Sequence, residues 1–263
     1  MMRKAGDYLK MKKNKKIELL EEHILMNDNT PFAVRESFGQ LRTNILYTAR
    51  SGEDAPVLCV TSAGESSGKS TVIANLAYSF ASMGKKIVLI DGDMRCPVQK
   101  NFFGYKKDST GLSEFLSGIA KTKEEVILKT DTEGLDVIPS GHIPPNPSEL
   151  IANQRFAKLL EELKRSYDYV FIDFPPVNIV ADPISVVNLI SGYIFVVRSK
   201  VSDSVSAGKA IESIETVGGS IIGIVFNDVN FKDGMGGRYG KGKYSHYSKY
   251  NRYEDAANSA SKK

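Results

Sequence analysis

The sequence predicts a three-layer α/β/α fold built on a mostly parallel sheet, and three observations carry that prediction. Short, largely apolar strand-like runs recur along the chain, at Val57–Val60, Ile87–Ile90, Tyr167–Asp173, Tyr193–Val197 and Ile221–Asn227. Runs without polar alternation belong to strands buried on both faces. Between them, apolar residues fall at helical spacing, the alternation of a sheet covered on both sides. The third observation is local. The first run leads into Ala63-Gly64-Glu65-Ser66-Ser67-Gly68-Lys69-Ser70-Thr71, and a helical pattern follows through Ile73, Leu76, Ala77 and Phe80. A strand, a loop of small residues and a helix opening on Gly-Lys-Ser-Thr make a P-loop NTPase-like arrangement.

Such a loop has a direct use. Small residues let successive backbone N–H groups turn around a polyphosphate, and the helix N-terminus adds positive potential. Lys69 would reach the β- and γ-phosphates of ATP, and the Ser70 hydroxyl would sit on Mg²⁺. The usual spacing has glycine at position 63; Ala63 adds little bulk there.

Taken in order, residues 1–30 read as a basic arm with a short helical patch around Ile17 to Leu25. From Pro31, Val34, Phe38, Leu41, Ile45 and Leu46 define an amphipathic helix with Glu36 and Arg42 on its polar side. The helix after the P-loop is expected over 71–83, stopping at Gly84. The second strand ends in Asp91-Gly92-Asp93-Met94-Arg95-Cys96-Pro97. Two carboxylates at the C-terminal edge of a strand, beside a phosphate loop, lie where open α/β sheets bind ligands. Residues 98–134 predict helices near 112–119 and 122–129. A short strand running into a turn follows over Leu135–Gly141, and then one helix entered through Pro144-Pro145-Asn146-Pro147 and running through Phe156, Leu159, Leu160 and Leu163. The third buried strand delivers Asp173, an acid placed to serve a nucleotide's Mg²⁺. Helices around Asp182–Leu189 and 203–217 alternate with the last two strands.

The totals narrow the class. A chain of 263 residues with 41% hydrophobic and 25% charged residues is long enough for one large soluble α/β domain. No apolar run approaches the ~18–20 residues of a spanning helix, and the basic start is not followed by a signal-peptide core. Cys59 and Cys96 cannot build a disulfide framework and suit a reducing cytoplasm. His23, His142 and His246 are too scattered for a zinc site. The net charge of +4 hides an asymmetry. Residues 1–20 carry seven basic and two acidic side chains, residues 232–263 carry eight and three, and the body between them is acidic. Basic ends suit acidic partners such as anionic lipid, nucleic acid or acidic protein. We therefore divide the chain into an arm (1–30), a P-loop domain (31–231) and a flexible basic tail (232–263). The tail holds Tyr239, Tyr244, Tyr247, Tyr250 and Tyr253, five of the chain's twelve tyrosines within fifteen residues. Its Gly and Ser content opposes a helix.

Three acids, a phosphate loop and a tyrosine-rich tail together resemble the bacterial tyrosine kinases of polysaccharide assembly, in the form whose cytoplasmic kinase is separate from its membrane adaptor. The resemblance covers roughly residues 31–253. It rests on Thr61–Thr71 as Walker A, Ile87–Pro97 as the family's Walker A′, Val170–Pro176 as Walker B, Pro145–Leu150 and the tyrosine cluster. It implies ATP and Mg²⁺ as cofactors and Lys69, Asp91, Asp93 and Asp173 as the catalytic set. Asp173 and one of Asp91 and Asp93 would hold Mg²⁺ with Ser70, and the other Asp would accept the tyrosine proton. Arg95 and Asn227 join residues 63–71 as candidate nucleotide contacts. The tail tyrosines would be phosphoacceptors in trans, within a ring-like homo-oligomer such as an octamer contacted through Glu36 and Arg42. A membrane adaptor of the polysaccharide copolymerase type, a cognate tyrosine phosphatase, no nucleic acid, and a peripheral place at the inner face of the plasma membrane complete the expectation. The chain departs from the family at Glu65 and Ser66 (often Pro-Gly), Phe174 (often Thr) and Gly39 (an Arg in the ring-forming motif). Two other readings share the fold. A ParA/MinD-type positioning ATPase would carry Lys where this chain has Gly64 and gives the tail no role. A catalytically weak ATP-binding scaffold would use the tail only for docking.

Overall fold

The computed structural model describes residues 25–27, 29–49, 54–106 and 108–229. The tail tyrosines and most of the N-terminal arm lie outside the described residues. Among the described residues seven strands form one sheet: β1 (Val57–Ser62), β2 (Ile87–Asp91), β3 (Leu128–Lys129), β4 (Leu135–Ile138), β5 (Tyr169–Asp173), β6 (Gly192–Arg198) and β7 (Ile221–Asn227). Their order is β3-β4-β2-β5-β1-β6-β7. Every pairing is parallel except that of β3 with β4. The three-layer, mostly parallel expectation is therefore met.

Alternation along each central strand feeds two cores. Val57 and Cys59 of β1 and Val88 and Ile90 of β2 face α4 (Leu112–Ser117), α5 (Pro147–Ile151), α6 (Gln154–Lys164) and α8 (Ser204–Thr216). Leu58, Val60, Ile87 and Leu89 face α1 (Phe32–Thr48) and α2 (Lys69–Ala81). Phe80 anchors this second core, with its ring 4.6 Å from Tyr169 and 5.4 Å, edge-on, from Phe171. Full burial of such a side chain contributes roughly 1.5–3 kcal/mol.

Some elements differ from expectation for local reasons. The helix after the P-loop begins at Lys69 and ends at Ala81; Gly84, at φ +77°, closes the turn beyond it. The single helix expected through Leu163 is two, α5 and α6, because the Asn153 side chain accepts from Arg155 N at 3.0 Å and starts a new N-terminus. The helix expected over 122–129 is one 3₁₀ turn, Lys123–Glu125. Glu125 accepts from the backbone of both Lys121 and Thr122 at 2.9 Å, and the chain then joins the sheet edge as β3. A one-turn helix, α3 (Lys100–Phe103), ends at Gly104, φ +66°. The 182–189 segment is α7 (Asp182–Ser185) followed by a 3₁₀ turn.

On α1, Phe38, Leu41, Ile45 and Leu46 pack inward, whereas Val34 stays exposed. Arg42 reaches α2, donating to the Ser79 carbonyl at 2.8 Å and its hydroxyl at 2.7 Å. Met26 is buried before α1 begins, its N–H donating to Asn75 Oδ1 at 2.6 Å. No described helix is long and apolar enough to cross a membrane.

What matters for function is where the strands end. β1, β2 and β5 lie side by side and run the same way, so the loop after β1 and the acids ending β2 and β5 share one sheet edge. Register places Asp91 opposite Asp173, and Asp173 opposite Val60.

Candidate active site

The loop joining β1 to α2 is hung by its carbonyls. Asn227 Nδ2, at the end of β7, donates to Ser67 O at 3.0 Å, and Arg198 Nη1, at the end of β6, donates to Ser66 O at 3.0 Å. Arg198 is itself steadied by Asp228, 3.1 Å from its Nε. Ser62 Oγ donates to Gly64 O at 2.8 Å. Ser66 takes φ +56° and Gly68 φ +84°. Tethering carbonyls on one side suits a loop whose amides serve an anion on the other. Asn227 therefore braces the loop, and the cleft is lined by Glu65 to Thr71 without Ala63 or Gly64.

Gly68 is required here on two counts. Its φ is strained for any side chain, and a Cβ would lie 2.0 Å from Asn227 Nδ2. Gly68→Ala is expected to weaken binding of a fluorescent ATP analogue at least tenfold. It should also lower stability by about 1–3 kcal/mol, measured by thermal unfolding.

Lys69 leans over the loop into the acids. Its Nζ lies 3.2 Å from Asp93 Oδ2 and 4.0 Å from Asp173 Oδ1. Burial pulls its pKa down, but the charges of Asp173, Asp93 and Asp91 outweigh that and hold it above the ordinary lysine value, so Lys69 remains an ammonium. Asp91 and Asp173 are wholly buried. Burial, then the facing Asp173, pushes Asp91 well above the carboxylate range, against the Gln99 N–H that favours its charge. Burial also raises Asp173, opposed by Lys69, the Ser70 hydroxyl and the Gln99 amide. Two adjacent carboxylates out of water share too little positive charge to ionise together.

Asp93 differs from both. It lines a cleft of about 410 Å³ together with Lys69, Ser70, Thr71, Arg95 and Cys96, and its Oδ1 accepts from Cys96 N at 3.0 Å. Gly92, between the acids, has no room for a side chain, because Phe174 would lie 2.8 Å from its Cβ. Phe174 is buried, its ring 6.4 Å from that of Phe156. Arg95 reaches the cleft wall but is engaged. It donates to the buried carboxylate of Asp182 and, at 2.8 Å, to Ser148 Oγ, which donates to Asp182 at 2.6 Å.

The structure thus brings Lys69, Ser70, Asp91, Asp93 and Asp173 to one place. Glu36 and Arg42 lie apart on α1, and Tyr239 to Tyr253 fall outside the described residues. Gln99, Arg198, Ser148 and Asp182 also build the site, and no local pattern announces them. A wider groove of about 1,070 Å³ lies at the opposite sheet end, lined by Lys86, Lys129, Asp131 and Tyr167 among others. Its buried acid, Asp136, is already paired with Lys129 at 2.7 Å and Tyr167 at 2.6 Å. The unsatisfied chemistry favours the smaller cleft.

Among the described residues, no three His, Cys, Asp or Glu side chains form a metal cage. Mg²⁺ does not need one, since it is commonly held by one or two carboxylates plus substrate phosphates and water. The residues fit that use, because Asp91 Oδ1 and Asp173 Oδ1 are buried and accept no hydrogen bond among the described residues.

Comparison with known proteins agrees with this geometry. The AAA domain family matches residues 57–217. The tyrosine-protein kinase CpsD of Streptococcus agalactiae serotype III is 38% identical over 195 residues, 74% of this chain and 82% of that one. The crystal structure of the chimerical protein CapA2B2 is 35% identical and superposes with a TM-score of 0.71, covering 77% of this chain and 91% of that one. The septum site-determining protein MinD of Pyrococcus horikoshii, complexed with Mg-ADP, reaches a TM-score of 0.57 at 23% identity over 65% of this chain and 70% of that one, a likeness of fold alone. With its phosphate loop, its three acids and these relatives, the chain belongs to the bacterial tyrosine kinases of capsule and exopolysaccharide biosynthesis.

Proposed function

We propose that the chain transfers the γ-phosphoryl group of ATP to tyrosine hydroxyls, its own Tyr239, Tyr244, Tyr247, Tyr250 and Tyr253 among them, and does so in trans within a homo-oligomer. The observation that carries this reading is the convergence of Lys69 with Asp91, Asp93 and Asp173 beside a phosphate loop, in a member of a tyrosine kinase family. Of the expected contacts 63–71, Glu65 to Thr71 line the cleft and would hold the triphosphate, with Asn227 bracing the loop and Arg95 at its edge. Asp91, Asp173 and Ser70 would hold Mg²⁺, which neutralises the phosphates when bound. Asp93 is the acid that reaches the cleft surface, and it would accept the tyrosine proton. A phenol has a pKa near 10, so that transfer is needed mainly late in the reaction. Lys69 now pairs with Asp93; a triphosphate would draw the ammonium away and free the carboxylate.

Phosphates added to a basic tail reverse its charge, a switch for releasing acidic partners or opening the assembly. We assign activation to a membrane adaptor, which would hold the chain at the inner face of the membrane, and dephosphorylation to a tyrosine phosphatase. Capsule or exopolysaccharide synthesis and export would be the regulated process. Glu36 is proposed for the ring contact. Arg42 would share it only by loosening its bonds to Ser79.

Labelled γ-phosphate tests the reading. A full-length Lys69→Met chain is mixed with an active chain whose five tail tyrosines are Phe. Base-stable label is expected on the Lys69→Met tail. Label elsewhere would remove the tail as main acceptor, hydrolysis without label would favour a positioning ATPase, and neither would favour a scaffold.

A further inference from the structure

Gln99 stands just before α3, is wholly buried, and touches both metal-side acids. Its side-chain Nε2 donates to Asp173 Oδ2 at 2.7 Å and to Ser70 O at 3.3 Å. Its backbone N–H donates to Asp91 Oδ2 at 3.3 Å. The Ser70 backbone carbonyl can only accept, so the amide orientation follows: nitrogen faces that carbonyl and Asp173, and oxygen is turned away. Past the other end of α3, the Tyr105 hydroxyl donates to the same Asp91 Oδ2 at 3.4 Å. One helical turn therefore supplies a donor from each end, and every one of these bonds to the acids falls on an Oδ2. Among the described residues the Oδ1 atoms of Asp91 and Asp173 accept no hydrogen bond, and neither does the buried Gln99 Oε1; Asp173 Oδ1 faces the Lys69 ammonium at 4.0 Å.

We propose that Gln99 is a positioning residue for the divalent cation. It pins Asp91 and Asp173 by one oxygen each, so that the two remaining oxygens present a common face to the metal. It also spans β2, β5 and the first turn of α2, tying the loop that holds the phosphates to the acids that hold the metal. Groups that orient metal ligands in this way typically change metal affinity 10–100-fold when removed. The inference rests on the phosphoryl-transfer reading above and adds to it the residue that sets how the metal is held.

The test uses the full chain and a fluorescent ATP analogue titrated with and without Mg²⁺. Gln99→Ala is expected to keep its affinity in EDTA within twofold of wild type, while the gain on adding Mg²⁺ shrinks at least tenfold. In the kinase assay, half-saturation by Mg²⁺ should rise at least tenfold, with kcat recovering at high Mg²⁺. Gln99→Glu keeps the volume but sets an acceptor against Asp173, and should lose more than Gln99→Ala. Should the alanine variant fail to fold, the glutamate variant alone decides. A folded variant with wild-type Mg²⁺ dependence overturns the role of Gln99 and leaves the kinase reading standing. A wild-type chain with no Mg²⁺-dependent gain overturns both.

Discussion

Lys69→Met is expected to reduce phosphotyrosine formation at least a hundredfold, read as label incorporated per chain. Among the described residues the Lys69 ammonium is the cation paired with the acid cluster, and preorganised charge facing a transferring phosphoryl group is worth about 10²–10³ in rate per donor. The substitution has a second effect that must be separated from the first. Lys69 offsets the buried charge of Asp173 and the pairing of Asp93. Breaking a buried pair costs up to about 3–5 kcal/mol, less if the acids take up protons instead. Thermal unfolding should therefore show a lower midpoint at neutral pH. Lys69→Arg separates the two effects: it keeps a cation near Asp93, should recover most of the stability, and should stay catalytically crippled, because a planar fork does not replace a compact ammonium. An active Lys69→Met chain would end the assignment of Lys69 to the transferred phosphate.

Asp91→Asn is expected to act in opposite directions on activity and stability. Kinase activity should fall a hundredfold or more, since a metal-side carboxylate is gone. The nucleotide-free chain should become more stable. Asp91 is wholly buried, faces Asp173 across adjacent strands, and binds its proton more tightly folded than unfolded. The sign follows from that shift. Between the ordinary carboxylate value near 4 and the raised one, the folded state holds more protons, so wild-type stability falls as pH rises through that window. Asparagine does not titrate, and its amide can donate toward Asp173. The unfolding midpoint of the variant should exceed that of wild type by about 3 °C at neutral pH, equivalent to about 1 kcal/mol for a domain this size. The gap should close as pH drops toward 4. A variant less stable than wild type at pH 7 would show that the two acids do not oppose each other. Such trades are common where a site keeps charges that the fold alone would not.

The sheet and the heart of the site were legible because their signals are local. Buried parallel strands leave unbroken apolar runs, and β1, β2, β5, β6 and β7 each announced themselves that way. The loop before Lys69 was legible from small residues between a strand and a helix, and Asp91, Asp93 and Asp173 from their place at strand ends. What escaped depends on partners far along the chain. Gln99 acts on residues 8 and 74 positions away. Ser148, Asp182 and Arg95 meet only in space. Arg198 reads as the polar end of a strand, yet it reaches back 132 positions to the loop. The break between α5 and α6 turned on whether Asn153 would cap, which helical periodicity does not reveal. Arg42 belonged to a polar helix face by pattern, and the neighbouring helix claimed it.

The pairing of Asp91 with Asp173 makes the sheet a ruler. Adjacent strands stand about 4.8 Å apart whatever loops connect them, so the gap between these two acids is inherited from the backbone. Surface insertions between β2 and β5 can come and go without disturbing it. Sliding either strand by a single residue would turn its acid to the other face, so one codon inserted within β2 should do more harm than a dozen inserted in the excursion after it.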